Sequence, residues 1–416
     1  MRYIILFCLL VSAGQLSAQQ HSSAYLKGVK AYEAGDYSEY LSAMTLALEK
    51  NPEHDLIIFE HMKALVLNDR ITEALIQLSY LIDRRSITVH GLYENKLFEA
   101  VLNVGLIARI RDMERPIVNS DTVNIITERD LILEGIAVDS LTGRKFIGST
   151  HKEKVVAVMV NGHFSDFSHS GDSLWSFLGM EVDEERGVLW AATAYSPYRE
   201  SSQNSGCSKL VRLNLHTGRL IQSYKVCNEL LNDITVAGNG DVFATGTIGA
   251  KLYQFDVSTD EFRALSDFSK EGYRFLNGIA INNETGRLYV AHETGVLIRD
   301  LSSGEFIELQ KPSHISLMGI DGMTHYRNSL ICHQRMLGSI TRYLLSPNGD
   351  KVIGEEIIDA HHPAFDSPTT GELGGDGYYY YLANSQITSA YTNGKLKAYH
   401  NLQDKIILRW KLPESH

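Results

Sequence analysis

One short sequence phrase occurs six times along the chain. Residues 131–149, LILEGIAVDSLTGRKFIGS, alternate apolar and polar residues on either side of Thr142-Gly143-Arg144. This pattern predicts two strands joined by a tight turn, with Gly143 supplying the positive φ that such turns need. Equivalent phrases start between 44 (178−134) and 54 (232−178) residues apart. A repeat of this length with strand patterning is typical of a β-propeller.

Each repeat divides into four predicted strands separated by turn residues. In the fourth repeat these strands are residues 278–281, 287–291, 296–300 and 305–309. The fold class is therefore predicted to be mainly β, a six-bladed β-propeller preceded by a small α-helical domain. Residues 122–127 are predicted to add the outer strand of the last blade, which closes the ring and leaves no exposed sheet edge.

The N-terminus has the features of a secretory signal peptide. Arg2 precedes an apolar run at residues 3–11, and the small residues Ser17-Ala18 follow. This combination predicts a signal peptide at residues 1–18 and export to the periplasm or the extracellular space. The apolar run is too short to span a bilayer, and no later stretch is long enough. We therefore expect no membrane span in the mature chain.

Residues 19–111 are predicted to form helices. The turns Gly35-Asp36 and Asn68-Asp69 are 33 residues apart (68−35), and Asn51-Pro52 ends a helix between them. This layout resembles two tetratricopeptide repeats, whose period is about 34 residues, and predicts a protein partner for the helical domain. A generic helical hairpin without a binding role is the alternative. Residues 112–121 are predicted to be the linker, and residues 122–416 the propeller.

The charge of the chain argues against two classes of partner. The formal net charge is −11, and Lys and Arg are not clustered. Nucleic acids and anionic membrane surfaces both attract concentrated positive charge. We therefore expect neither as a partner.

One position in each repeat directly precedes the innermost predicted strand. Because blades are related by rotation about a central axis, equivalent positions converge at one mouth of the channel. Two carboxylates and two amides therefore face a common centre, and oxygen donors of this kind suit calcium. The alternative is a wet channel mouth that is polar without binding a metal. In chain order the six positions hold Glu134, Leu178, Asn232, Asn277, Asp321 and Thr370.

Four of these positions carry a family resemblance. Glu134-Gly135, Asn232-Asp233, Asn277-Gly278 and Asp321-Gly322 resemble, in order and approximate spacing, motifs of the senescence marker protein, gluconolactonase and luciferin-regenerating enzyme family. The resemblance implies a six-bladed propeller with one central divalent metal. It implies Glu134, Asn277 and Asp321 as metal ligands and Asp321 as the base. Asn232 is implied to lie near the metal and the substrate.

Loops between the second and third strands of each blade are expected on the same face as this site. They contain His151, His292 and His333, and a long insertion at residues 195–206 contains Tyr198. Histidine near the site is suited to acid or base catalysis near neutral pH, so His292 and His333 are candidate catalytic residues beside Asp321. His151 and Tyr198 are candidate substrate-binding residues with Asn232. Each histidine is alternatively a solvated loop residue.

Two functions of different class follow from these residues. The first is an exported, calcium-dependent hydrolase that acts on a small lactone or related ester. The second is a non-catalytic propeller that binds a small ligand or a protein, with the helical repeats as adaptor. Leu230 stands where sugar lactonases of the family carry a substrate-binding arginine, and this favours the second function.

Cysteine spacing predicts one disulfide. Cys207 begins the third strand of the second repeat and Cys227 ends the fourth, with their midpoint in the turn around Thr217. The two residues are therefore expected to face each other across an antiparallel pair. Cys332 is expected to remain a buried thiol.

Overall fold

The computed structural model describes residues 23–87, 97–98, 104–195 and 204–414. The chain divides into two compact units. One comprises Met1–Arg115 with Lys311–Met318, and the other comprises Pro116–Gln310 with Gly319–His416. The signal peptide predicted at residues 1–18 lies outside the described residues. Within those residues, no helix combines the length and apolar character needed to cross a bilayer.

The described residues of the first unit between residues 23 and 113 are mostly helical. Asp36 caps the second helix because its Oδ1 accepts a hydrogen bond from the Glu39 backbone N–H at 3.0 Å. Part of the helical region predicted at residues 19–111 lies outside the described residues. The likeness to tetratricopeptide repeats and the protein partner that it implies stay predictions. The helices are α1 Ser23–Glu33, α2 Tyr37–Lys50, α3 Asp55–Leu67, α4 Ile71–Asp83 and α5 Val104–Met113.

The second unit is a six-bladed β-propeller, as predicted. Each blade is a four-stranded antiparallel sheet, and its first strand lies nearest the central axis. Blade one consists, from the axis outward, of Leu133–Val138, Lys145–Ser149, Val155–Val158 and Phe164–Asp166. Blade two consists of Ser176–Asp183, Val188–Ala194, Cys207–Asn214 and Leu220–Cys227. Blade three consists of Leu231–Val236, Val242–Gly246, Lys251–Asp256 and Glu261–Asp267.

The other three blades follow the same order. Blade four consists of Ile279–Asn282, Arg287–Ala291, Val296–Asp300 and Phe306–Glu308. Blade five consists of Met323–His325, Ser329–Gln334, Ser339–Leu345 and Val352–Ala360. Blade six consists of Gly371–Leu373, Tyr378–Leu382, Lys405–Lys411 and Asp121–Ile126. A two-stranded hairpin, Tyr391–Thr392 with Lys395–Leu396, lies within the connection of blade six.

The ring is closed by its own first strand. Asp121–Ile126 pairs antiparallel with Lys405–Lys411, so the start of the propeller sequence supplies the outermost strand of the last blade. This closure confirms the prediction made for residues 122–127. Apolar side chains fill the space between neighbouring blades, as Phe146 of blade one does against Phe177 and Leu189 of blade two. Six such sheets hold the inner strands around one axis, where the candidate site lies.

A disulfide joins the two outer strands of blade two. Cys207 and Cys227 are directly opposite each other in the strand register and are bonded, which confirms the predicted pairing, while Cys332 is a buried free thiol. The Cα atoms are 3.9 Å apart. The bond closes a loop across a sequence separation of 20 residues.

Loss of this disulfide should destabilise the propeller. For a closed loop of this size, the chain-entropy model predicts a loss of about 3 kcal/mol in the free energy of unfolding. The C207S/C227S double variant tests this by urea unfolding with and without reductant. The variant should match the reduced wild-type protein and should not respond to reductant. Equal stability of oxidised and reduced wild-type protein would contradict the prediction.

Candidate functional site

The site residues are aimed at the axis by bulges in the inner strands. In blade one the strand register shifts between Leu133 and Ile136, so that Glu134-Gly135 forms the irregular step. The same shift occurs in blade two between Phe177 and Met180, and in blade three at Asn232-Asp233. A bulge places an extra residue in one strand and redirects its side chain. The side chain at the repeated position therefore points in a different direction from the side chains of the alternating residues that follow it.

Blades four and five bring their site residues to the same place by equivalent backbone hydrogen bonds. The Asn277 N–H donates to the Ala291 carbonyl at 3.0 Å, and the Ala291 N–H donates to the Gly278 carbonyl at 2.8 Å. In blade five the Asp321 N–H donates to the His333 carbonyl, and the His333 N–H donates to the Gly322 carbonyl. Two inner residues thus face one residue of the second strand, as in a bulge.

The residue that follows each candidate ligand residue lies against the next blade. A Cβ atom at Gly135 would lie 2.0 Å from the Leu178 carbonyl oxygen of blade two, so a side chain does not fit there. Blade three carries Asp233 at the equivalent position. Its carboxylate accepts hydrogen bonds from the Ile234 N–H at 3.0 Å and from the Ile279 N–H of blade four at 3.2 Å. Asp233 therefore links blades three and four next to Asn232.

Asp321 is the centre of the hydrogen bonds at the channel mouth. Its Oδ1 accepts from Asn277 Nδ2 at 2.8 Å, and its Oδ2 accepts from Arg335 Nε at 2.8 Å. The Asp321 side chain is 11% exposed and that of Arg335 is 21% exposed. One amide and one guanidinium thus fix the direction of this carboxylate, and the ion pair is largely shielded from water.

Glu134 has an unsatisfied buried oxygen. Its Oε2 is inaccessible to solvent and makes no hydrogen bond within the described part of the chain. Burial, followed by the nearby Asp321 charge, raises the pKa of Glu134 well above its usual range, and Arg335 opposes this rise. A buried polar atom without a partner usually indicates a ligand, an ion or a water. Glu134 is therefore a donor suited to a bound group.

Three more carboxyl groups lie on the innermost strands of their blades, those of Glu181, Asp233 and Glu372. Burial raises the pKa of Asp233 to about 8 and that of Glu372 to about 7. Burial and the charge of Glu372 raise the pKa of Glu181 well above its usual range. These carboxyl groups are close enough to repel one another, so protonation or a cation stabilises them near neutral pH.

Asn232 is held by its own blade. Its Nδ2 donates to Thr247 Oγ1 at 3.1 Å, and Thr247 Oγ1 donates to the Leu276 carbonyl at 2.6 Å. These bonds fix the amide and leave its carbonyl oxygen as the end that can face a ligand. The proposed roles of Asn232 in binding a metal and a substrate stay predictions.

The predicted catalytic histidines occupy protected positions. His292 Nε2 lies 2.8 Å from Glu308 Oε1 within blade four, and the ring packs edge-on against Tyr273. His333 is in strand Ser329–Gln334 rather than in a loop, fully buried, with Nε2 at 3.0 Å from the Tyr379 hydroxyl. Burial lowers the pKa of His333 to about 3. Their catalytic roles stay predictions.

His151 and Tyr198 are the two other candidate substrate-binding residues. His151 is exposed and its ring lies edge-on to Tyr391, with 6.5 Å between ring centroids. Tyr198 lies outside the described residues. Their roles in substrate binding stay predictions.

Sequence reasoning missed Arg335. It begins the 3-10 turn Arg335–Leu337, in the connection between the second and third strands of blade five. Those connections were expected on the site face, but only their histidines were considered. A positive residue just after the His333 strand was the available signal. Asp233, Glu181 and Glu372 were also missed as members of the channel.

The donor chemistry fits a hard divalent cation in part. Two carboxylates, Glu134 and Asp321, and the Asn277 amide supply oxygen atoms of the kind that calcium accepts. The unsatisfied Glu134 oxygen agrees with such a ligand. Across the described ranges, however, no group of three or more His, Cys, Asp or Glu side chains is arranged to hold a metal. A metal here would depend on the amide, and Arg335 lies beside it.

The propeller is similar to several solved structures at low sequence identity. One is the PQQ-bound aldose sugar dehydrogenase of Streptomyces coelicolor, with 12% identity, TM-score 0.48, and coverage of 71% of this chain and 98% of that one. A luciferin-regenerating enzyme has 13% identity, TM-score 0.47, and coverage of 71% and 95%. A gluconolactonase of Xanthomonas campestris has 12% identity, TM-score 0.47, and coverage of 69% and 89%. No protein-family model matches the sequence, and no curated protein matches it.

Proposed function

We propose that the propeller hydrolyses a small lactone or related ester at the channel mouth, with Asp321 as the base. The observation that carries the proposal is the arrangement of three side chains around this carboxylate. Asn277 and Arg335 fix its two oxygens, and the buried Glu134 oxygen beside it lacks a partner. A carboxylate that is shielded from solvent and lies next to a second carboxyl group with an unpaired oxygen is suited to general-base chemistry.

Asp321 would take a proton from the attacking water as that water adds to the substrate carbonyl. The C–O bond of the ester would then break, and the protonated Asp321 would return the proton to the alcohol oxygen that leaves. The two hydrogen bonds keep the carboxylate in one orientation, which lowers the entropy lost when water is positioned. Positive charge at the mouth would stabilise the oxyanion that forms on the carbonyl oxygen. Partial shielding from solvent makes that stabilisation stronger than in water.

We also propose a divalent metal, calcium, as the cofactor. Glu134, Asn277 and Asp321 would hold it, with Asn232 nearby. When bound, such an ion polarises a carbonyl group as a Lewis acid. Export through residues 1–18 is part of the same proposal, since exported proteins meet calcium at concentrations that weak sites bind.

A panel of small substrates tests the proposal. The full chain is assayed with five- and six-membered lactones, sugar-acid lactones and phenyl acetate, with calcium and after treatment with EGTA. We expect acid release from at least one substrate in calcium and its loss in EGTA. The E134Q variant should need more calcium for the same rate, because it removes a charged ligand. If none of these substrates is hydrolysed, the hydrolase proposal is wrong.

Ligand binding without turnover is the second candidate function. Both oxygens of Asp321 already accept hydrogen bonds, as in a structural ion pair, and this favours it. A compound of this panel that raises the melting temperature of the protein but gives no product would support the binding function over the hydrolase.

A further inference from the structure

Arg335 places a positive charge against the carboxylates of the candidate site. Its turn directly follows the second strand of blade five, and Gly338 ends that turn with a φ of 61°. The Nε donates to Asp321 Oδ2 at 2.8 Å, and most of both side chains is out of water. The backbone thus fixes the place from which the guanidinium reaches the site.

The ion pair with Asp321 brings the guanidinium into the proposed ligand set. Asp321 is the member of that set that Arg335 contacts, and the Asn277 amide, which also bonds to Asp321, is neutral. A divalent ion on these ligands would lie close to the guanidinium, and the repulsion between them is only weakly screened in a shielded site.

We propose that Arg335 is a built-in competitor of the metal. In the metal-free protein its guanidinium neutralises Asp321, and its positive charge opposes the binding of a divalent ion beside this carboxylate. The inference rests on the proposed function in one respect, the placement of a divalent ion on these ligands. It adds that calcium affinity is set by an arginine that is not itself a ligand.

The competition is one of charge. A carboxylate has lone pairs enough for a cation and a hydrogen-bond donor together, so occupation of Oδ2 alone does not exclude an ion. The R335K variant keeps the positive charge and should bind calcium as weakly as wild type. Methionine keeps a similar length without the charge and should bind calcium more tightly. This contrast separates a charge effect from a simple loss of a hydrogen bond.

The test is calcium titration of the full chain by calorimetry at constant ionic strength. R335M should bind at least tenfold more tightly than wild type, R335Q should behave similarly, and R335K should remain near wild type. R263M is the matched control, because Arg263 is an exposed residue on the outer strand of blade three and its loss changes the net charge equally. The double variant R335M/E134Q should lose the tighter calcium binding of R335M. This loss would show that the additional affinity arises at the candidate site.

The outcomes separate the inference from the proposed function. Calcium binding by R335M within twofold of wild type, with both proteins folded by circular dichroism, overturns the competition and leaves the metal site standing. Binding by R335M but not by wild type supports the competition and removes calcium from the proposed function of the wild-type protein. Absence of binding in every variant overturns both. The calcium-dependent rise in melting temperature gives a second readout without any substrate.

Discussion

The D321N variant is expected to lose at least about 100-fold in kcat for whichever lactone or ester the wild-type protein hydrolyses, since general-base groups contribute factors of this order. Asparagine has nearly the same shape as aspartate and can still accept a hydrogen bond from Arg335. It cannot take a proton from water at neutral pH. Initial rates at saturating calcium measure the effect, because loss of a charged ligand also weakens the metal.

An exposed aspartate supplies the control for this variant. Asp121 begins the outermost strand of blade six, so D121N makes the same chemical change away from the axis. D121N should retain wild-type rates. The melting temperature and calcium affinity of D321N are measured alongside its rate, to show that the variant is folded and loaded. If it then keeps more than half of the wild-type kcat, Asp321 is not the base. Asp321 would then keep only its proposed role as a metal ligand.

The architecture was predictable because its signals are local and repeated. Turn residues such as Gly143 recur at a nearly constant phase, and each repeat contains its own four strands. Ring closure followed from a leftover strand ahead of the first repeat, which a closed sheet needs to avoid an open edge. The Cys207–Cys227 pair followed from strand register in the same way.

The candidate site was predictable only where rotation alone decides position. Asn277 and Asp321 occupy equivalent positions in neighbouring blades, and the structure places them in hydrogen-bond contact. Arg335 lies in a connection between strands rather than at a repeated strand position, so rotation alone does not place its side chain. The bulges also add one residue to the alternation. For this reason counting alternate residues did not reveal Glu181 as a channel group.

Long-range pairing in the first unit was beyond sequence reasoning as well. Residues 311–318 belong to this unit although they begin 198 positions (311−113) after its last helix ends. Ser316 Oγ donates to Asp55 Oδ2 at 2.6 Å, and Arg84 Nη1 donates to the Ser313 carbonyl at 2.8 Å. Neither contact lies within a repeat or a helical turn, so no periodic pattern indicates it.

These contacts surround a buried ion pair whose loss should be costly. Asp55 begins α3 and Arg84 follows α4, and their side chains are 1% and 2% exposed. Arg84 Nε approaches Asp55 Oδ1 to 3.0 Å, although the angle is too bent for a hydrogen bond between these two atoms. Arg84 also donates to the Tyr80 hydroxyl at 2.7 Å. Each charge is therefore supported by neutral partners as well as by the other charge.

The D55A variant should reduce the free energy of unfolding of the helical unit by about 3–5 kcal/mol, because it leaves the Arg84 charge buried without its counter-ion. The double variant D55A/R84M should be less destabilised than the sum of the single variants, since both charges are then gone. Urea unfolding followed by circular dichroism at 222 nm reports the helices. The exposed pair Arg70–Glu73 is the control, and E73A should change stability little because water screens that pair. Additive losses in D55A and R84M would mean that the two charges act independently, and the stability of α3 and α4 would then rest on their apolar packing.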